Sequence, residues 1–186
     1  MGESYDLCGD SQIVVKQVFQ DMQIDLNSEE KVPFDCFRQE EAESFLGFEG
    51  QRLEAVYYYI WPVPGQKGFL FALELIFDSG ERLLLSGGED SEAIRIIGSE
   101  SLMETARKLQ ELHGQPVLQR MVANAQPLWQ QAAGEILMAI RLSRHENGLY
   151  RNDALLLDFG HKALFVQISE RDGLELGVWN TGLERG

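Results

Sequence analysis

Apolar and aromatic side chains run almost unbroken from Leu53 to Trp61. A two-residue period divides them, with Val56, Tyr58 and Ile60 on one face and Tyr57, Tyr59 and Trp61 on the other. This predicts a strand with aromatic groups on both sides. Phe69 to Phe77 predicts a second strand, with Leu73, Leu75 and Phe77 sharing a face. The loop between them, Pro62 to Gly68, holds two prolines and two glycines. Asp78-Ser79-Gly80 then suits a hairpin turn: the aspartate accepts a backbone N–H two residues on, and Gly80 takes a left-handed conformation without steric cost. Strands are predicted again at Glu81 to Ser86 and Ala93 to Ile97.

Helical spacing appears in three places. Asp10 or Ser11 can cap a helix reaching Met22 or Gln23, with Val14, Val15, Val18, Phe19 and Met22 as its apolar stripe. Gln39 to Phe45 can form a short helix. A third helix opens at Ser99 or Ser101, with Ser101 and Glu104 as a capping box. Its buried stripe is Leu102, Ala106, Leu109 and Leu112, and Gly114 followed by Pro116 ends it. The segment from Val117 to Ala125 reads as helical, with Pro127 as a break.

The strand pattern then returns. Over 22 positions, residues 75–96 align with 155–176 at an offset of 80, with Leu75, Asp78, Gly80 and Leu84 identical. Asp158 and Gly160 fall where Asp78 and Gly80 do. Upstream, Gly50 to Val56 aligns with Gly134 to Ile140 at an offset of 84. Strands are expected at Ile136 to Ser143, Ala154 to Asp158, Lys162 to Ser169 and Leu174 to Trp179, followed by a frayed tail. The fold expected is α+β, a tandem duplication of a four-stranded antiparallel meander with a linking helix and an N-terminal helical addition. In domain terms, residues 1–49 are the acidic addition, 50–133 the first repeat with its linking helix, and 134–186 the second repeat.

The two copies differ on one face. Where the first has Tyr57, Tyr59 and Trp61, the second has Arg141, Ser143 and His145. Three exposed aromatics would form an apolar patch that needs an explanation. The favoured one is a cover by the stripe of residues 11–23, which pairs two otherwise unmatched apolar faces. The other is a binding surface.

Charge narrows the partners. The net charge is −14, and residues 1–49 hold twelve acids against three bases, a balance of −9. That field repels nucleic acid and anionic membranes and favours a basic protein partner. The acidic N-terminus is unlike a signal peptide and no apolar run reaches the ~20 residues of a spanning helix, so a cytoplasmic protein is expected. Nothing decides between a monomer and a homodimer. Cys8 and Cys36 read as reduced, structural thiols.

Candidate chemistry is sparse. No phosphate loop, dinucleotide loop or nucleophile elbow occurs, and no cofactor or metal is implied. Glu89, Asp90 and Glu92 lack the spacing of a calcium loop, and Asp158 with His161 reads as a turn and its neighbour. Arg141, Arg144, His145 and Arg151 make a small basic cluster, too small for nucleic acid. The function expected is therefore a non-enzymatic acidic interaction protein of the inhibitor, immunity or adaptor kind. The alternative is a small-ligand binder or enzyme with a pocket between the copies, lined by Tyr57, Tyr59, Trp61, Arg141 and His145.

Overall fold

A computed structural model describes residues 33–180, apart from 63, 89 and 90. Among these residues the chain is mixed α+β, with two helices and a curled nine-stranded sheet, a half-barrel. The elements are α1 (Gln39–Phe45), β1 (Leu53–Trp61), β2 (Phe69–Phe77), β3 (Arg82–Ser86), β4 (Arg95–Ile96), α2 (Ser99–His113), β5 (Gln119–Val122), β6 (Ala139–Arg144), β7 (Tyr150–Asp158), β8 (Ala163–Ser169) and β9 (Gly173–Trp179). The expected helix within residues 10–23, its cover of the aromatics, and the tail beyond residue 180 lie outside the described residues.

Strands β1 to β4 pair antiparallel in chain order, as do β6 to β9. Two contacts tie the series together. Leu70 of β2 meets Gly173 of β9 in parallel, with the Leu70 N–H donating to Asp172 O at 2.8 Å. Here only glycine fits: Gly173 has φ +80°, and a Cβ on it would lie 2.3 Å from Leu70 O. The second contact is a short antiparallel ladder. Gly50 N–H donates to Leu137 O and Gly134 N–H to Leu53 O, both at 2.7 Å, while Leu53 and Leu137 donate to Glu135 O and Gln51 O at 2.9 Å.

The curl wraps the main core. Val56, Leu73, Leu75, Phe77, Leu83, Leu85, Ile140, Leu155, Leu157 and Val166 are buried inside it. One end receives residues 34–45. Arg95 Nη1 and Nη2 donate to Cys36 O and Phe34 O at 3.1 and 3.0 Å, and Asn152 Nδ2 donates to the same carbonyls at 3.1 and 2.9 Å. So strapped, the segment delivers Phe37 and Phe45 to the core, in edge-to-face contact with centroids 5.3 Å apart.

A second, smaller core lies outside the curl. There α2 sets Leu102 against Phe71, Ala72 and Leu84, flanked by Tyr59, Phe69, Ile97 and Leu118. Burial on both faces is why β2 is apolar nearly throughout. The linking helix opens at Ser99 and ends at Gly114 as expected, and departs from expectation in its cap and in one residue of its stripe. Gly98 is its N-cap rather than Ser101, and Glu104 pairs with Lys108 at 2.9 Å instead of closing a capping box. Leu102 and Leu109 are buried as expected, but Leu112 is 79% exposed. Gly114 ends the helix in the left-handed conformation with φ +73°.

The largest departure follows α2. The segment expected to be helical from Val117 to Ala125 contains strand β5, paired antiparallel with Tyr57–Ile60 of β1. Pro116 and Pro127 bracket it, and Ala123 N–H donates to Val56 O at 2.8 Å. Asn124 completes the ladder with its side chain, accepting from Val56 N–H at 2.8 Å and donating to Glu54 O at 3.0 Å. Beyond it Trp129 is fully buried, its Nε1–H donating to Tyr58 Oη at 2.6 Å.

Candidate functional site

Cross-strand pairing sets the outer face of β5, β1, β2 and β3. Residues directly opposite one another in an antiparallel pair share a face. Val122, Tyr57, Glu74 and Leu84 therefore form one row, and Arg120, Tyr59, Ala72 and Ser86 the next. Helix α2 covers Phe71 and Leu84, and its last residue, His113, meets Trp61 edge-on with ring centroids 5.3 Å apart.

Beside α2 lies a compact charged and aromatic cluster. Glu74 is only 2% exposed, a carboxylate in an otherwise apolar strand. Its Oε1 accepts from Arg82 Nη1 at 3.3 Å, and its Oε2 accepts from Arg120 Nη2 at 3.0 Å and from Tyr59 Oη at 2.9 Å. Arg120 also donates through Nε to Tyr59 Oη at 3.1 Å, and its guanidinium lies 3.5 Å from the centroid of the Tyr57 ring. The carboxylate is fully partnered, while Arg82 and Arg120 remain 55% and 44% exposed. Two arginines against one carboxylate leave the face locally cationic within an acidic protein.

The ionisation of this cluster follows from its packing. Burial pushes the Tyr59 hydroxyl pKa up, and the bond and charge of Glu74 add to this, with Arg120 offsetting part. Partial burial pushes Arg120 down, but its bonds and charge interactions with Glu74 and Tyr59 outweigh that, and its pKa is raised overall. Tyr59 is thus neutral and Arg120 cationic across the physiological range.

The other residues singled out from the sequence lie apart. Arg141 Nη2 pairs with Asp158 Oδ2 at 2.5 Å, and His145 Nε2 lies 3.8 Å from Asp35 Oδ2. β1 and the chain leading into β6 cross antiparallel at Arg52 and Ile136. Tyr57 and Arg141 each lie five residues beyond that bridge, in opposite directions, and pair with different strands. The structure thus gathers Tyr57 and Tyr59 around Arg120, and gives Arg141 and His145 separate partners.

The two turns also separate in detail. Gly80 closes a loop in which Phe77 N–H donates to Glu81 O at 3.0 Å, and Asp78 Oδ1 accepts from Arg52 N–H at 3.4 Å. Gly160 sits in a tighter loop, with Phe159 N–H donating to Lys162 O and Asp158 Oδ1 accepting from Gly160 N–H, both at 2.8 Å. His161 Nε2 lies 3.0 Å from Gln131 O.

Cys36 is buried next to Asp35, with Sγ 3.8 Å from Asp35 Oδ1. Burial chiefly, then the charge and hydrogen bond of Asp35, raise its thiol pKa; a bond from Asn147 and the charge of Arg151 act the other way. The thiol is therefore held protonated, unlike an activated nucleophile. Among the described residues, no group of three or more His, Cys, Asp or Glu side chains is placed to hold a metal. No helix of the described residues is long and apolar enough to cross a membrane.

Sequence reasoning singled out the tyrosines but missed their partners Glu74, Arg82 and Arg120. The available signal was Glu74 itself, a lone acid inside the apolar run Phe69 to Phe77. No protein-family model, curated protein or solved structure matches the chain.

Proposed function

We propose that this chain is a non-enzymatic interaction protein whose contact surface is the outer face of β1, β2 and β5 around Tyr57, Tyr59 and Arg120. One observation carries the reading: a preorganised arginine–tyrosine cluster lies half-exposed beside a strand, β5, whose four residues are all exposed. Arginine and tyrosine are enriched among the residues that dominate protein–protein contacts; tyrosine offers a large, rigid contact area at small entropic cost, and Arg120 is already held by its stack on Tyr57. The net charge of −14 suits fast encounter with an overall basic protein in the cytoplasm. Monomer and homodimer are both compatible with this surface.

The test is affinity capture from native extract with cross-link mapping, comparing the natural chain with Tyr57→Ser. The reading expects partners cross-linked to β1 and β5 that the variant loses while its Tm stays within about 3 °C. Equal capture by both proteins would refute it.

The same reading includes the doubled architecture: two β-units, residues 50–133 and 134–186, with residues 1–49 as an addition to the first. Its support is the ladder in which Gly50 and Gly134, and Leu53 and Leu137, exchange equivalent bonds at the sequence offset of 84. The unlike loops at Asp78 and Asp158 mark where the units diverged. On this reading only the first unit kept an aromatic outer face, and β5, which follows α2 at the end of that unit, was recruited to its edge.

A further inference from the structure

We infer that the edge of β5 left unpaired among the described residues takes up an extended peptide as an added strand, with an acidic residue across from Arg120 and an apolar residue across from Val122. This deepens the proposed function and rests on it.

The backbone gives the direction. Ala123 donates to Val56, and hydrogen-bonding groups alternate sides along a strand, so Met121 and Gln119 also turn toward β1. The N–H and C=O groups of Arg120 and Val122 therefore point away from the sheet. Among the described residues β5 pairs with β1 alone. An edge of this kind is a template for strand addition, in which main-chain bonds supply affinity and alternate side chains supply specificity.

The side chains specify the occupant. Arg120 is fixed by its stack on Tyr57 and by bonds through Nε and Nη2, yet Nη1 has no partner among the described residues. A carboxylate on an added strand would meet it without the entropy cost of ordering a free arginine. Val122, 64% exposed, would meet an apolar neighbour two residues along. A second copy of this chain fits less well. Antiparallel self-pairing about Met121 would set Arg120 against Val122 of the other copy, leaving both guanidinium groups unmatched and bringing two chains of charge −14 together.

The test uses the full chain and a blocked, fluorescein-labelled peptide, Thr-Thr-Val-Thr-Glu-Thr-Thr, followed by anisotropy and by amide shifts. The expected result is saturable binding with the largest shifts at Arg120 and Val122. Replacing the peptide's Glu by Gln should weaken binding by about fivefold, and one N-methyl group on its bonding edge by about tenfold or more. Val122→Pro, which deletes an outward N–H and spares the bonds to β1, should match the N-methyl effect.

Equal binding by the Gln peptide or the N-methyl peptide would overturn the proposal, as would shifts centred on Arg95 and Ile96. A concentration-dependent dimer abolished by Val122→Pro would assign the edge to a second copy and overturn it too. If native partners are lost with Tyr57→Ser but kept with Val122→Pro, the face reading stands and strand addition falls.

Discussion

The arginine–glutamate cluster makes an unequal demand on its members, and this can be measured. Arg82 and Arg120 are each about half exposed, so either alone can be removed while the other still partners Glu74. Arg82→Ala should cost about 0.5–1 kcal/mol, the range of solvent-screened pairs. Arg120→Ala should cost about 1–2 kcal/mol, because it also loses the stack on Tyr57. Removing both leaves a carboxylate 2% exposed with only the Tyr59 hydroxyl, and an uncompensated buried charge costs about 3–5 kcal/mol. The double variant should therefore exceed the sum of the singles by roughly 1 kcal/mol or more. Adding Glu74→Leu to the double variant should recover most of the loss, since it removes the stranded charge and fills the space. Urea unfolding of the natural chain and these four variants gives the cycle and the recovery. Additivity within about 0.5 kcal/mol, or no recovery with Leu, would show that Glu74 is not held as described.

Three further predictions follow from the same packing. Tyr58→Phe strands the buried Trp129 indole N–H and should cost about 1–3 kcal/mol by chemical denaturation; a loss below about 0.5 kcal/mol would contradict the bond. Gly173→Ala should destabilise by more than about 2 kcal/mol, whereas Gly80→Ala, at φ +86° with nothing within 4 Å of the added Cβ, should cost only about 1–2 kcal/mol. Equal losses would refute the close approach of β2 and β9. Burial chiefly raises the folded-state pKa values of Tyr58 and Tyr59 above 10.0, and that of Cys36 above 9.0. A raised pKa stabilises below the unfolded value and is lost as pH climbs through the folded one. The Tm should thus hold up to pH 9 and fall beyond it, less steeply in Tyr59→Phe; an unchanged slope in that variant would count against the shift at Tyr59.

Much of the fold was legible where side-chain period and burial agree. Strands β1 and β2 and helix α1 have the bounds that alternation and spacing predict, because each buries a continuous face that fixes its register. Strand β5 was not legible for the converse reason. All four of its residues are exposed, so no alternation marks it, and only its pairing with β1 makes it a strand. Leu112 misled because helical spacing marks it as part of the stripe, although only Leu102 and Leu109 of that stripe are buried. The tyrosine face was legible as unusual, since one copy is aromatic where the other is polar. Its arginines were not: Arg120 joins the tyrosines only through the unforeseen strand, and Arg82 only through the hairpin that places it near Glu74.

The peptide-binding edge requires β5 to be anchored to β1 along one side and open along the other. Amide exchange in the full chain reads this residue by residue. The N–H groups of Met121 and Ala123 should be protected by β1, while those of Arg120 and Val122 should exchange at rates near those of an unstructured peptide. Uniform protection, or uniform exchange, across residues 119–123 would contradict it.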